Sequence, residues 1–290
     1  MLIRIGFDLA FDLPASVSML LMLYTHPCRS SSLLAPETIH SSPPTPINTF
    51  IDQFGNRCGR IAAAAGELRL WHESVVRDSG LPDPVHPEAA QSDIHNLPLD
   101  VVPFLFASRY CETDHLSNIA WGLFGNTPPG WPRAQAVCDW VHNNVQFGYE
   151  FARPTKSAHE VYQERRGVCR DFSHLLITFL RCLNIPARYV TGYLGDIGVP
   201  QVPDPMDFSA WTEVFLDGRW YTFDARHNMP RIGRIVMARG RDAVDVAITT
   251  SFGPSTLKKF IVITDEIPRD EDPAPKPLNA SAPPAAAQLS

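Results

Sequence analysis

Cys169 stands in the stretch RRGVCRDFSHLL, residues 165–176, directly ahead of apolar residues at helical spacing. Phe172, Leu175, Leu176, Phe179, Leu180 and Leu183 fall at i, i+3, i+4, i+7, i+8 and i+11, which predicts a helix with one buried face. Asn184 and Pro186 end it. A cysteine in the first turn of such a helix meets unpaired N–H groups and the positive end of the macrodipole, and both favour a thiolate. A thiolate attacks a carboxamide or peptide carbonyl to form a thioester, which water or an amine then releases. That chemistry also needs a group to take the thiol proton and a donor for the leaving amine.

The elements after the helix must position such a group. Residues 187–194 (ARYVTGYL), 207–216 (DFSAWTEVFL) and 219–225 (RWYTFDA) read as strands, the last two joined by Asp217-Gly218. Asp-Gly between alternating apolar runs is a strong hairpin signal. A two-residue turn there pairs Leu216 with Arg219, sets Trp211 opposite Asp224 and sets Ser209 opposite Arg226. Side chains alternate along a strand, so Ser209, Trp211, Asp224 and Arg226 are expected on one face, with Ser209 and Asp224 roughly 7–8 Å apart.

The rest of the chain supports this centre. Residues 1–80 read as a β-rich N-terminal domain: Ile3, Ile5, Phe7 and Leu9 alternate onto one side, SMLLMLYT reads as a buried strand, and Gly55-Asn56 and Gly66 mark turns. Residues 81–265 form the second domain. It opens with a proline-rich loop and continues with two helices, one capped by Ser108 and one through Ala134, Val137, Cys138, Val141 and Val145. Residues 266–290, rich in Pro and Ala, are expected to be a disordered tail.

Composition excludes several function classes. A net charge of −6 with no long basic run argues against nucleic acid as a partner. The run Met19 to Leu23 is too short for a signal core or a membrane span, so no membrane association is expected. The six cysteines form no CxxC pair, and the reading is a cytoplasmic protein with reduced thiols.

The order of a helix-opening cysteine, an SAW strand and a WYTFD strand resembles the transglutaminase-like superfamily. The matching segments are AVCDWVHNNVQFGY, RRGVCRDFSHLLITFLRCLNIPARYVTGYL and DFSAWTEVFLDGRWYTFDARHN, together covering about residues 130–230. The resemblance implies an α+β fold: a papain-like transglutaminase core, with the cysteine-bearing helix packed on an antiparallel sheet, preceded by the β-rich N-terminal domain. It implies that Cys169 is the nucleophile and Asp224 the aspartate that orients a catalytic histidine. That histidine belongs to an HAW-type motif on the preceding strand, and here the position holds Ser209.

A hydroxyl is not a base at neutral pH, so Ser209 can bridge a water but cannot accept the thiol proton. His227 points away from Asp224 if the strand runs through 227, and reaches the site only if the chain turns after Arg226. Arg226 is a candidate thiolate stabiliser, or alternatively pairs with Asp224 across the hairpin. His174 reads as a core histidine, His159 is unconstrained, and His142 with Cys138 reads as core packing. Cys111, Asp114 and His115 lack a second cluster at ligand spacing, so no metal is expected. No acidic calcium-type loop is present and no cofactor is implied. Two readings follow. One is a cysteine peptidase, amidase or transamidase acting on a peptide or protein substrate through a thioester on Cys169. The other is a non-catalytic relative that binds peptide or a partner protein in the retained cleft. Oligomeric state is not readable from the sequence.

Overall fold

The computed structural model describes residues 1–202 and 205–268. The N-terminal region holds β1 (Leu2–Leu13), β2 (Val17–Leu21), β3 (His40–Ser42), β4 (Asn48–Ile51), β5 (Arg57–Ala63) and β6 (Gly66–Arg77). The alternation at the start of the chain is a true strand period, since Ile3, Ile5, Phe7 and Leu9 are all buried. After a loop come α1 (Thr113–Phe124), α2 (Trp131–Asn144), β7 (Gln146–Phe147), α3 (Ala158–Glu164), β8 (Arg166–Gly167) and α4 (Cys169–Cys182). The chain then forms β9 (Ala187–Tyr193), β10 (Ser209–Leu216), β11 (Arg219–Phe223), β12 (Ile235–Gly240), β13 (Thr249–Ser251) and β14 (Thr256–Ile267).

Three antiparallel four-stranded sheets result, in the orders β14-β1-β6-β3, β13-β2-β5-β4 and β11-β10-β9-β12. The fold is α+β, with the cysteine-bearing helix on the third sheet and a β-rich region ahead of it. The first two sheets share one apolar core, and Tyr193, Phe208, Ile235 and Met237 of the third region enter the same core. The last two strands depart from the expected division of the chain. β13 pairs with β2 and β14 pairs with β1, so residues expected in the second domain complete the N-terminal sheets. Residues 266 and 267, expected in the tail, end β14, and the remaining tail from 269 on lies outside the described residues.

Two other expectations change. The first helix starts at Thr113, not after Ser108, because the Ser108 N–H donates to Cys111 O (3.1 Å) and closes a turn before it. α4 is buried on every face rather than one. α1, α2 and α3 pack around it and β9 and β10 lie against it. Its apolar residues sit in the core, and burying a Leu or Phe contributes about 1.5–3 kcal/mol each. Its polar residues are buried with partners: Ser173 Oγ donates to Cys169 O (3.0 Å), Thr178 Oγ1 to His174 O (2.7 Å), and Arg181 to the carbonyls of Phe106, Ala187 and Arg241.

Candidate active site

Cys169 is the first residue of α4 and is 4% exposed. The local sequence explains the helix start. Asp171 Oδ2 accepts the Val168 N–H (3.0 Å), reaching back across the first turn in the manner of a capping box. The glycine of the GVC motif makes room for that carboxylate, because a Cβ on Gly167 would lie 2.6 Å from Asp171. Burial raises the Asp171 pKa, although Arg170 beside it works the other way.

The β10–β11 hairpin forms in the expected register, with Leu216 opposite Arg219 and Thr212 opposite Phe223. Asp217 and Gly218 both take positive φ, as a tight two-residue hairpin turn requires. The ladder then stops. β11 ends at Phe223, so Asp224 does not pair across from Trp211, nor Arg226 across from Ser209. The chain turns because Asp224 Oδ1 accepts the N–H groups of Arg226 (3.0 Å) and His227 (3.2 Å), and Asn228 N–H donates to Asp224 O (2.7 Å). The carboxylate thus competes with the strand for the backbone and wins.

This turn brings His227 back to Asp224, with Nδ1 2.8 Å from Oδ2. The turn that His227 required therefore begins two residues earlier than Arg226. α2 braces it: His142 Nδ1–H donates to Ala225 O (3.0 Å), and Asn228 Nδ2 donates to Asp139 Oδ1 (2.9 Å). Arg234, which no local signal marked, donates to Asp224 Oδ2 (2.8 Å) and to Asp83 Oδ2 (2.8 Å). Burial works to raise the Asp224 pKa, but the Arg234 charge and the His227 hydrogen bond outweigh it and hold the carboxyl well below the usual carboxylate range. Asp224 is therefore an anion at neutral pH.

Arg226 does not pair with Asp224 through its side chain. Its guanidinium lies over the Phe147 ring, 3.9 Å from the centroid, and faces Tyr149. Burial raises the Tyr149 pKa. Arg226 opposes that rise, while Asp207 and Cys169 add to it, so the phenol sits amid all three groups. Ser209 opens β10, is 8% exposed, and lies opposite Gly192 of β9. A cavity of about 40 Å³ is lined by Ser209, Asp207, Tyr149, Arg226 and His227, together with Asp196 and Arg231. Asp207 stands just ahead of β10, two residues before Ser209, and lines the same cavity, a spacing present in DFSAW. Burial pushes its carboxyl up to about 7, against the Phe208 N–H and Arg226.

The other candidates sit elsewhere. His174 is fully buried, stacked on Tyr110 and accepting from Ala243 N–H (3.2 Å), and burial lowers its pKa. Cys138 is buried, which raises its thiol pKa. His159 stacks on His115, away from the cavity. Among the described residues no group of three or more His, Cys, Asp or Glu could hold a metal. Also among them, no helix is long and apolar enough to cross a membrane.

The profile of the transglutaminase-like superfamily matches residues 119–225, the segment from α1 through Asp224. A crystal structure of a candidate cysteine protease from Cytophaga hutchinsonii superposes with a TM-score of 0.80 at 30% identity, covering 94% of this chain and 93% of that one. A Mycobacterium leprae protein is 29% identical over 137 residues, 44% of this chain and 48% of its own length. A Mycobacterium tuberculosis protein is 34% identical over 113 residues, 35% of this chain and 36% of its own length. The chain thus spans about half, or about a third, of these two mycobacterial relatives. With a likeness over nearly the full length of the Cytophaga structure, and the profile matching the helix-opening cysteine and the hairpin that leads to Asp224, the chain belongs to the transglutaminase-like superfamily.

Proposed function

We propose that this protein is a thiol acyl-transfer enzyme, a peptidase, amidase or transamidase. Cys169 attacks a carboxamide or peptide carbonyl of a peptide or protein substrate. His227 takes the thiol proton, in place of the imidazole that an HAW-type motif would set at the position of Ser209. One observation carries this reading: the 2.8 Å contact of His227 Nδ1 with Asp224 Oδ2, which leaves Nε2 as the working nitrogen. Asp224 holds the ring and stabilises the imidazolium, the ordinary task of a triad carboxylate. Arg226 lends positive charge near the thiolate, and the N-terminus of α4 adds to it. A reducing cytoplasmic compartment suits this chemistry, since it keeps a nucleophilic thiol from oxidation.

The alternative, a non-catalytic member that binds peptide or a partner protein, draws support from Ser209 and from the narrowness of the cavity, about 40 Å³. Alkylation by iodoacetamide separates the two. The enzyme reading expects Cys169 to react well below the pH at which a free thiol does, and expects the low-pH limb to disappear in His227→Gln. It also expects amide turnover that Cys169→Ala abolishes. A wild-type alkylation profile matching an unperturbed thiol, with no turnover, sinks it in favour of the binder.

A further inference from the structure

The cavity beside His227 holds a second proton-bearing group that the thiol and the imidazole leave unused. Asp207 lies next to the start of β10 and is 9% exposed. Phe208 turns the opposite way, into the apolar core between the sheets, where its ring meets Phe7, Tyr193 and Phe260. That packing fixes the backbone and leaves Asp207 and Ser209 facing the cavity together. The Phe208 N–H and Arg226 act on the Asp207 carboxyl, and Tyr149, His227, Arg231 and Asp196 line the same cavity. Among the described residues none forms an ion pair with it.

Ser209 lines the cavity from the first residue of β10 and Asp207 from the chain just ahead of it, and Arg226 and His227 line it from the turn after β11. With serine at 209, the strand side has no imidazole to return a proton, but two residues away it has a carboxyl.

We propose that Asp207 is the general acid of the amide reaction, delivering its proton to the nitrogen that leaves the adduct on Cys169. This deepens the thiol acyl-transfer reading and rests on it. The protons balance over a cycle. The thiol proton moves to His227 as sulfur bonds to the carbonyl carbon. The C–N bond breaks, the amine departs with the Asp207 proton, and the thioester remains beside an imidazolium and a carboxylate. The carboxylate then takes a proton from water, or from an acceptor amine, as the oxygen or nitrogen attacks the thioester. The C–S bond breaks, and the thiolate recovers its proton from His227. Burial keeps Asp207 protonated up to about pH 7, so the acid form is available at neutral pH.

The test compares leaving groups that do and do not need a proton. Single-turnover acylation is measured with an acyl 4-nitrophenyl ester and with the primary amide of the same acyl group. Wild type, Asp207→Asn, Asp207→Glu and Cys169→Ala are compared. Asp207→Asn should slow acylation by the amide about 100-fold and the nitrophenolate burst by no more than a few-fold. Asp207→Glu should recover part of the amide rate. In wild type the amide rate should decline above about pH 7 while the ester burst does not. This pH comparison holds even if a variant folds poorly, and the ester burst itself reports an intact thiol site. Equal losses on ester and amide, or no amide loss in Asp207→Asn, overturn the role of Asp207 while the Cys169-dependent burst upholds the enzyme. Absence of any Cys169-dependent burst in wild type overturns both.

Discussion

Asp224 and His227 are joined twice within one turn: Oδ2 meets the ring Nδ1 at 2.8 Å, and Oδ1 accepts the His227 N–H at 3.2 Å. One carboxylate therefore both ends the strand and sets the orientation of the imidazole. His227 should act as the base, and Ser209→His should be redundant while it is present. His227→Gln should lower amide turnover by about 10²–10⁴-fold. Adding Ser209→His to His227→Gln should restore at least about a tenth of wild type, since 209 and 227 line the same cavity. Steady-state kinetics of the single and double variants read this. If Ser209→His raises turnover strongly with His227 intact, His227 is not the working base.

Arg234 is the only side chain that bonds both Asp224 and Asp83 among the described residues, and it is nearly fully buried. Arg234→Leu leaves Asp224 without its cation and should cost about 3–5 kcal/mol, measured by urea unfolding at pH 7. The pH dependence follows from Asp224. Its folded pKa lies below the unfolded value of about 3.9, so the stability it contributes is complete above that value and is lost as pH falls through the folded one. In Arg234→Leu the folded pKa rises, so acid unfolding begins at higher pH. Identical acid midpoints for the two proteins contradict the assignment.

Asp207 acts in the opposite sense. Its folded pKa of about 7 lies above the unfolded one, so the folded state binds more protons and stability falls as pH rises through the range between them. The cost at alkaline pH is roughly 4 kcal/mol at most, from the size of the shift. Asp207→Asn removes it. Thermal unfolding of Asp207→Asn should therefore gain on wild type between pH 5 and pH 8, relative to any difference at pH 5. A difference that does not change across that range refutes a raised carboxyl.

Phe208 ties the N-terminal sheets to the start of β10, where Ser209 opens the strand and Asp207 stands just ahead of it. Phe208→Ala should cost about 3–5 kcal/mol by chemical denaturation, the usual range for a buried aromatic. It should also reduce amide turnover more than ester acylation, because Asp207 loses its backing. A variant that loses stability but keeps its amide-to-ester ratio limits Phe208 to packing.

Local chemistry made part of the site legible. Cys169 at a helix start follows from the spacing of Phe172 through Leu183, and the hairpin register follows from Asp217-Gly218. The three strands after the helix appear in their expected places, and β12 is a fourth beyond them. The reading failed where a side chain overrode the strand period. Extrapolating the ladder past Phe223 set Arg226 opposite Ser209, but the Asp224 carboxylate captured the next two N–H groups and turned the chain. Arg234 could not be found locally, because its partners lie 10 and 151 residues away.

The sequence by itself determined the superfamily, the helix start at Cys169 and the register of the hairpin closed by Asp217-Gly218, since these depend on residue identity and short-range spacing. Only the tertiary structure decided that His227 meets Asp224, that Arg234 rather than Arg226 holds that carboxylate, and that Asp207 shares the cavity. It also decided that β13 and β14 complete the N-terminal sheets. Each of these depends on where distant segments are folded against one another. Burial and pairing energies that exist only in that packed state choose among backbone paths that the local sequence leaves equally open.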